Sequence, residues 1–437
     1  ELPPGLASQP LLAVGYLNDD ELPDIVTAAG VRFLVPQLGA APKFTDAYAS
    51  SFEPFEEAAI TDLNHDGRRE VVALGKTGDV VMLLPATPYT YNPVSIAIPD
   101  RGRNLVTGDF DGDGVDDLLV ISGQSQGCDV EDELYLMFGN AAGMPDPPQL
   151  IGSLPGILRV LPIRFFFPFL PDGISDIAIQ TRCASSGEPG DYVGVFFGNT
   201  SRIVSSPFSP YALEFTEDPA IERLTTGTLL APDESEPDAH DDLAFVGSLQ
   251  NDTDETFYDR EIRLVTVTGD AQMADTGTRL RLVDGIDANI DDSRKLRDHV
   301  PAIATGQLFE SSPADEIVVL SAYRTDVGPA KVKLFVAELE GGELSSAYES
   351  EIEADGIEAF SLSRIRLFDY DDDGDLDVVA FILKPAPSGL PTLVSALFVN
   401  DGATLSPASL DLSELIFVAD FAELAPANCI GLSNCDD

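Results

Sequence analysis

The sequence predicts an all-β chain, a seven-bladed β-propeller of four-stranded antiparallel blades, and three observations predict it. One phrase, an acidic loop closed by Asp or Glu and followed by an apolar run, recurs seven times in 437 residues. The apolar runs are rich in β-branched residues and leucine, about four to eight long, and bounded by Gly, Pro, Asn and Asp. No convincing helical period of useful length interrupts them, and 32 prolines with 36 glycines suit a chain of many turns.

In order, the phrase reads YLNDDELPDIVTA at 16–28, DLNHDGRREVVAL at 62–74 and DFDGDGVDDLLVI at 109–121. It continues as FLPDGISDIAIQ at 169–180, the stretch ending HDDLAFVG at 240–247, GQLFESSPADEIVVL at 306–320 and DYDDDGDLDVVAF at 369–381. The closing acids are Asp24, Glu70, Asp117, Asp176, Asp242, Glu316 and Asp377, separated by 46, 47, 59, 66, 74 and 61 residues. Units of that size are too small to bury both faces of a sheet alone and must stack on their neighbours, as propeller blades do. The expected blades fall near 11–55, 56–103, 104–157, 158–219, 220–299, 300–361 and 362–412, within one domain spanning 1–437 that ends in a closing segment at 413–437. In the third unit NLVTGDF, DDLLVIS and ELYLMFGN read as strands A, B and C, with a short D strand near 147–153. The seventh repeats this with SRIRLFDY, LDVVAFIL, LVSALFVND and ATLSPASLDL.

Three of the acidic loops are complete, and their spacing points to a hard cation. They are Asp62-x-Asn64-x-Asp66-Gly67-x-x-Glu70, Asp109-x-Asp111-x-Asp113-Gly114-x-x-Asp117 and Asp369-x-Asp371-x-Asp373-Gly374-x-x-Asp377. Calcium takes six to eight oxygens. Acids at alternate positions converge on one point only if the chain curls around it, and the glycine at the sixth position permits the turn. The seventh residue, Arg68, Val115 or Asp375, can add its backbone carbonyl, and the ninth acid closes the shell. An EF-hand is excluded, because position twelve is Ala73, Val120 or Ala380 and strands rather than helices flank the loop. The bland alternative is an ordinary Asp/Gly turn without metal. About three calcium sites are expected. The other four loops are eroded; the first, with Asn18, Asp20 and Asp24, has Tyr16 where the first ligand belongs and is at most a weak site.

These loops, the Gly108-Asp109 step, and the pairs Phe138-Gly139 and Phe197-Gly198 resemble FG-GAP repeats, which build the seven-bladed propeller at the head of integrin α subunits and of related bacterial and eukaryotic surface proteins. The resemblance runs over about residues 10–412. It implies calcium between strands A and B on the lower face and ligands on the opposite, upper face. The chain departs from integrins in ending soon after the seventh unit, and no integrin ligand contact carries over.

Charge and chemistry narrow the function. Against 25 basic residues stand 75 acidic ones, a formal net charge of −50. Nucleic acid and anionic membrane are disfavoured partners, and no apolar stretch approaches the roughly 18 residues of a membrane span. Glu1, Pro3 and Pro4 read as a mature start with no signal peptide. Four cysteines, Cys128, Cys183, Cys429 and Cys435, without redox or zinc spacing, suit disulfides in an oxidising compartment. A bridge between Cys128 and Cys183 would staple successive B–C loops; Cys429 and Cys435 are close enough for a local bridge.

No G-x-S-x-G, H-E-x-x-H or C-x-x-C occurs. His65, His240 and His299 read as surface residues, and the chain has no tryptophan for sugar stacking. The expected role is therefore a secreted or cell-surface, monomeric module that binds protein or glycan and is not an enzyme. The partner surface is expected on the long B–C loops GQSQGCDVEDE, RCASSGEPGD, SLQNDTDETFYDRE and KPAPSGLP, with Arg182 and Asp191 among them and Arg324 on the same face. The alternatives are a propeller-fold lyase or glycosidase and a structural surface protein without specific ligand.

Overall fold

The structure is a computed structural model. It describes residues 11–18, 24–37, 40–45, 54–75, 77–99, 101–123, 128–141, 144–163, 174–183, 189–196, 198, 200, 211–212, 220–227, 229, 242–251, 254–267, 273–287, 301–309, 314–323, 331–340, 342–352, 362–368, 373–384 and 392–408.

Every described element is a β-strand, and each sheet is an antiparallel meander in chain order. The first sheet joins β1 (Leu11–Gly15), β2 (Asp24–Thr27) and β3 (Gly30–Arg32), followed by a ribbon of β4 (Leu34–Gln37) and β5 (Ala40–Phe44). The second holds β6 (Phe55–Thr61), β7 (Glu70–Gly75), β8 (Val80–Thr87) and β9 (Thr90–Ile96). The third holds β10 (Gly102–Gly108), β11 (Asp117–Ser122), β12 (Glu131–Met137) and β13 (Gln149–Pro155). The fourth holds β14 (Ile157–Ile163), β15 (Asp176–Cys183), β16 (Pro189–Phe196) and β17 (Tyr211–Ala212). The fifth holds β18 (Ala220–Gly227), β19 (Asp242–Asn251), β20 (Asp254–Val267) and β21 (Met273–Asp287). The sixth holds β22 (Ala302–Gly306), β23 (Glu316–Tyr323), β24 (Lys331–Glu340) and β25 (Glu343–Ile352). The seventh holds β26 (Leu362–Phe368), β27 (Asp377–Lys384), β28 (Thr392–Asn400) and β29 (Leu405–Ala408). The all-β, four-stranded antiparallel expectation is met in six of these sheets. By backbone contacts the chain divides into two compact units, one holding β1–β17 and the other β18–β29.

Within each unit, successive sheets share cores, and the second strand of each sheet explains why. In β7, Val71 and Ala73 join one apolar cluster with Val26 and Phe33 of the first sheet, while Val72 and Leu74 join another with Leu118 and Val120 of the third. In β11, Leu119 and Ile121 turn the opposite way, onto Ile177 and Ile179 of the fourth. A strand buried on both faces reads as a continuous apolar run rather than an alternation. In the second unit β23 does the same, with Ile317 and Val319 on one side and Val318 and Leu320 on the other. Each such side chain is fully or nearly fully buried, which contributes about 1.5–3 kcal/mol apiece for the larger ones.

Two features differ from the sequence reading. Strand C of the first sheet stops at Arg32, because the Leu34 N–H turns to Asp24 Oδ1 (2.8 Å) while Phe33 exchanges bonds with Thr45. The stretch SLQNDTDETFYDRE is not a long loop: β19 and β20 run through it, paired as far as Asn251 and Asp254.

Candidate metal centre

All seven closing acids occupy the first position of the second strand of their sheet. All are buried, none more than 5% exposed. A buried carboxylate needs donors, and the backbone supplies them from two directions. Asp117 Oδ2 accepts the Phe110 N–H (2.8 Å) from its own loop, and Oδ1 accepts the Gly139 N–H (2.8 Å) from the end of strand C. Glu70 Oε2 accepts the Leu63 N–H, and Asp24 accepts those of Leu17 and Leu34. Asp176, Glu316 and Asp377 accept the amides of Gly198, of Leu308 and Phe309, and of Asn400. In Asp117, from a complete loop, and Asp24, from an eroded one, the ninth acid is thus a clip between the A–B loop and the exit of strand C.

Around that clip the two fully described loops share one hydrogen-bond scheme. Asp109 gathers the N–H groups of Gly112 (2.6 Å), Asp113 (3.2 Å) and Gly114 (2.9 Å). Asp62 gathers those of Asp66 (3.1 Å) and Gly67 (3.0 Å). The third position repeats too, with Asp111 holding the Asp113 N–H and Asn64 the Asp66 N–H. The fifth holds the seventh in all three loops: Asp66 to Arg68, Asp113 to Val115 and Asp373 to Asp375. The sixth-position glycines Gly67, Gly114 and Gly374 have φ of 79°, 82° and 98°, the left-handed turn expected of them. A second left-handed residue at the fourth position was not foreseen: His65 has φ 52° and Gly112 φ 73°. His65 is exposed, as expected.

The residues of the 109–117 loop fit a hard cation. Carboxylate oxygens of Asp109, Asp111 and Asp117 lie within 4.8 Å of one another. One calcium at 2.3–2.6 Å from each ligand spans oxygens up to about 5 Å apart. Asp113 is outside that group of three. In the 62–70 loop, Asn64 takes the third position and its Nδ2 donates to Glu70 Oε1 (3.2 Å). Asp369 and Asp371 lie outside the described residues, as do Asp20, His240, His299, Arg324, Cys429 and Cys435, and the side chains of Arg182 and Asp191.

Charge in the two loops is strained toward protonation. Burial pushes Asp117 up to about 7 against the lowering effect of its amide donors, with Asp111 and Asp109 adding repulsion. Burial likewise pushes Glu70 up to about 7, with Asp62 and Asp66 adding to it. A carboxyl group whose folded pKa is raised holds its proton more tightly when folded, so its contribution to stability is lost as pH rises from the unfolded value toward the folded one. Metal-free protein is expected to melt lower at about pH 8 than at about pH 5, and calcium is expected to remove most of that difference by favouring the carboxylates. A chelator-treated protein whose melting rises across that interval would contradict the assignment.

At the other end of these sheets, Cys128 and Cys183 form a disulfide with Cα atoms 5.5 Å apart, tying the third sheet to the fourth. Beside the same join, buried Asp132 pairs with Arg103 (2.6 Å) and accepts the Ile157 N–H (3.0 Å), a clip the sequence did not disclose. Asp129, Val130 and Glu131 are exposed next to the bridge. Of the other B–C loop residues expected to meet a partner, 124–127, 184–188, 252–253 and 385–391 lie outside the described residues.

Among solved structures, BBS1N in complex with ARL6DN aligns at a TM-score of 0.41 and 8% identity, over 83% of this chain and 94% of that one. The fission yeast SREBP–SCAP binding domains align at 0.39 and 13%, over 94% of both. Rhamnogalacturonan lyase YesW aligns at 0.34 and 11%, over 92% of this chain and 77% of that one. Likeness this slight carries no functional argument. No helix among the described residues is long and apolar enough to cross a membrane. No curated protein matches the chain in sequence. One family model matches, that of the FG-GAP-like repeat, and because it spans residues 62–120 it takes in both fully described acid loops and bears out the resemblance on which they were first read.

Proposed function

We propose that the chain is an extracellular, calcium-stabilised, seven-bladed β-propeller that binds a protein or glycan partner. Two loops with one shared amide-to-carboxylate scheme, one of them holding three acid oxygens within 4.8 Å, carry this reading. The sheets would be blades of a single domain over 1–437. Asp62, Asn64, Asp66, Glu70 and the Arg68 carbonyl would hold one ion. Asp109, Asp111, Asp113, Asp117 and the Val115 carbonyl would hold the second. Asp369, Asp371, Asp373, Asp377 and the Asp375 carbonyl would hold the third. Bound calcium supplies positive charge and oxygen coordination, which fixes each A–B turn. The partner engages the opposite end, where the Cys128–Cys183 bridge is consistent with an oxidising compartment. The reading assigns no catalytic residue and a monomer.

Calcium stoichiometry and melting test it together. About three ions per chain are expected after dialysis and metal analysis. At free calcium a hundredfold above Kd, each site adds about 2.7 kcal/mol. That is a rise of about 5–10 °C per site where each compact unit of about 200 residues melts on its own. A stoichiometry of zero, or melting unchanged between calcium and chelator, would sink the metal assignment.

A further inference from the structure

We infer that the acid loops 62–70 and 109–117 bind cations cooperatively, each organising the other through the turn that follows strand C of the third sheet. The inference rests on the calcium reading above and goes beyond it, because a ligand set alone says nothing about communication between sites.

Three contacts join the loops. Gly139 N–H donates to Asp117 Oδ1 (2.8 Å), the closing acid of its own sheet. The next residue, Asn140, donates its N–H to the Leu63 carbonyl (3.0 Å) inside the neighbouring loop. Leu63 in turn donates its N–H to Glu70 Oε2 (2.9 Å), that loop's closing acid. The two closing acids are thereby linked through one peptide turn. A parallel link runs alongside it: Thr61, adjacent to Asp62, donates its hydroxyl to Asp116 Oδ2 (2.7 Å), adjacent to Asp117. The turn is packed without slack, since a Cβ on Gly139 would lie 2.2 Å from the Asp116 carbonyl oxygen and 2.9 Å from that of Leu63. Beyond the 109–117 loop the contacts continue, with Ser175 N–H on the Asp109 carbonyl (2.7 Å). That contact braces the first ligand of the loop from the fourth sheet, whose own loop keeps only Asp172 and Asp176.

Ordering either loop therefore orders part of the other's wall in advance, and the second ion meets less disorder than the first. Coupling of this kind is reciprocal. Like-charged sites also repel, which acts in the opposite sense, but that contribution is screened by salt while contact coupling is not.

The test follows hydrogen–deuterium exchange of the intact chain against calcium concentration, reading peptides covering 55–75 and 105–121 separately. Asp109→Asn is expected to weaken calcium protection of 55–75 by about fivefold to tenfold, and Asp62→Asn to weaken that of 105–121 by the same factor. Thr61→Val leaves every ligand in place and is expected to bring both cross-effects down to about threefold or less. The cross-effects are expected to persist at about 1 M ionic strength, where the Debye length is about 3 Å. Midpoints that shift less than about twofold, or cross-effects abolished by salt, would overturn the coupling while leaving the calcium sites intact. Absence of calcium protection on either peptide would overturn the calcium reading as well.

Discussion

Gly139→Ala is expected to lower the melting temperature by about 6–12 °C, corresponding to about 3 kcal/mol of overpacking. The cause is the close approach described above. The atoms that an added methyl would meet are the backbone oxygens of Asp116 and Leu63 and the Val115 side chain. None of these is the far end of a flexible chain, so the turn must lift off both loops and surrender the Asp117 and Leu63 hydrogen bonds. Gly67→Ala provides the contrast. A Cβ there meets nothing within 4 Å, so only its left-handed φ of 79° resists substitution, at about 1–2 kcal/mol. Thermal melts of the two variants with and without calcium decide the matter. If Gly139→Ala melts as high as Gly67→Ala, the turn is not the clamp described here.

Breaking the Cys128–Cys183 bridge is the second large effect. The two cysteines are 55 residues apart, and closing a loop of that length in the unfolded chain corresponds to about 4 kcal/mol in the chain-entropy account. Natural bridges return about 2–5 kcal/mol, so the Cys128→Ser, Cys183→Ser protein is expected to melt about 8–16 °C lower than the oxidised parent. Treating the parent with reductant is expected to give the same shift. A double variant that melts with the oxidised parent would mean that the bridge adds nothing to stability. The location of the bridge makes the prediction specific. It lies at the end of the sheets away from the acid loops, so calcium is expected to stabilise the oxidised and the bridge-free protein by equal amounts.

Much of this architecture is written in the chain, and the reason is burial on both faces. Strands such as Val71–Leu74 and Leu118–Ile121 have no polar side to show, so they stand out as unbroken apolar runs directly after an acid. The alternate acids of the 62–70 and 109–117 loops were legible for a related reason: few arrangements other than a curled turn make use of that spacing. What escaped was long-range. Asn140 reaching Leu63, Thr61 reaching Asp116, and Asp132 reaching Arg103 and Ile157 join residues 25 to 77 apart, and no local pattern marks them. The ninth acid misled in a different way. Its place in a ligand series suggested coordination alone, yet Asp24 and Asp176 accept backbone amides in the same manner where the loop has no acid at its first position. At the head of the strand the acid accepts buried backbone amides, and a cation, where one binds, would share it. His65 shows the limit of reading glycine as the sole mark of a tight turn, since a histidine holds the left-handed position that Gly112 holds in the next loop.

The bridge between Cys128 and Cys183 also changes what a cut in the chain can do. A protease that severs one peptide bond anywhere between the two cysteines leaves both halves covalently joined, because the polypeptide there is a closed ring. Releasing a fragment takes a second cut or a reductant. Wherever the protein meets a protease, this stretch survives a single nick through connectivity, whatever its local sequence offers to the enzyme.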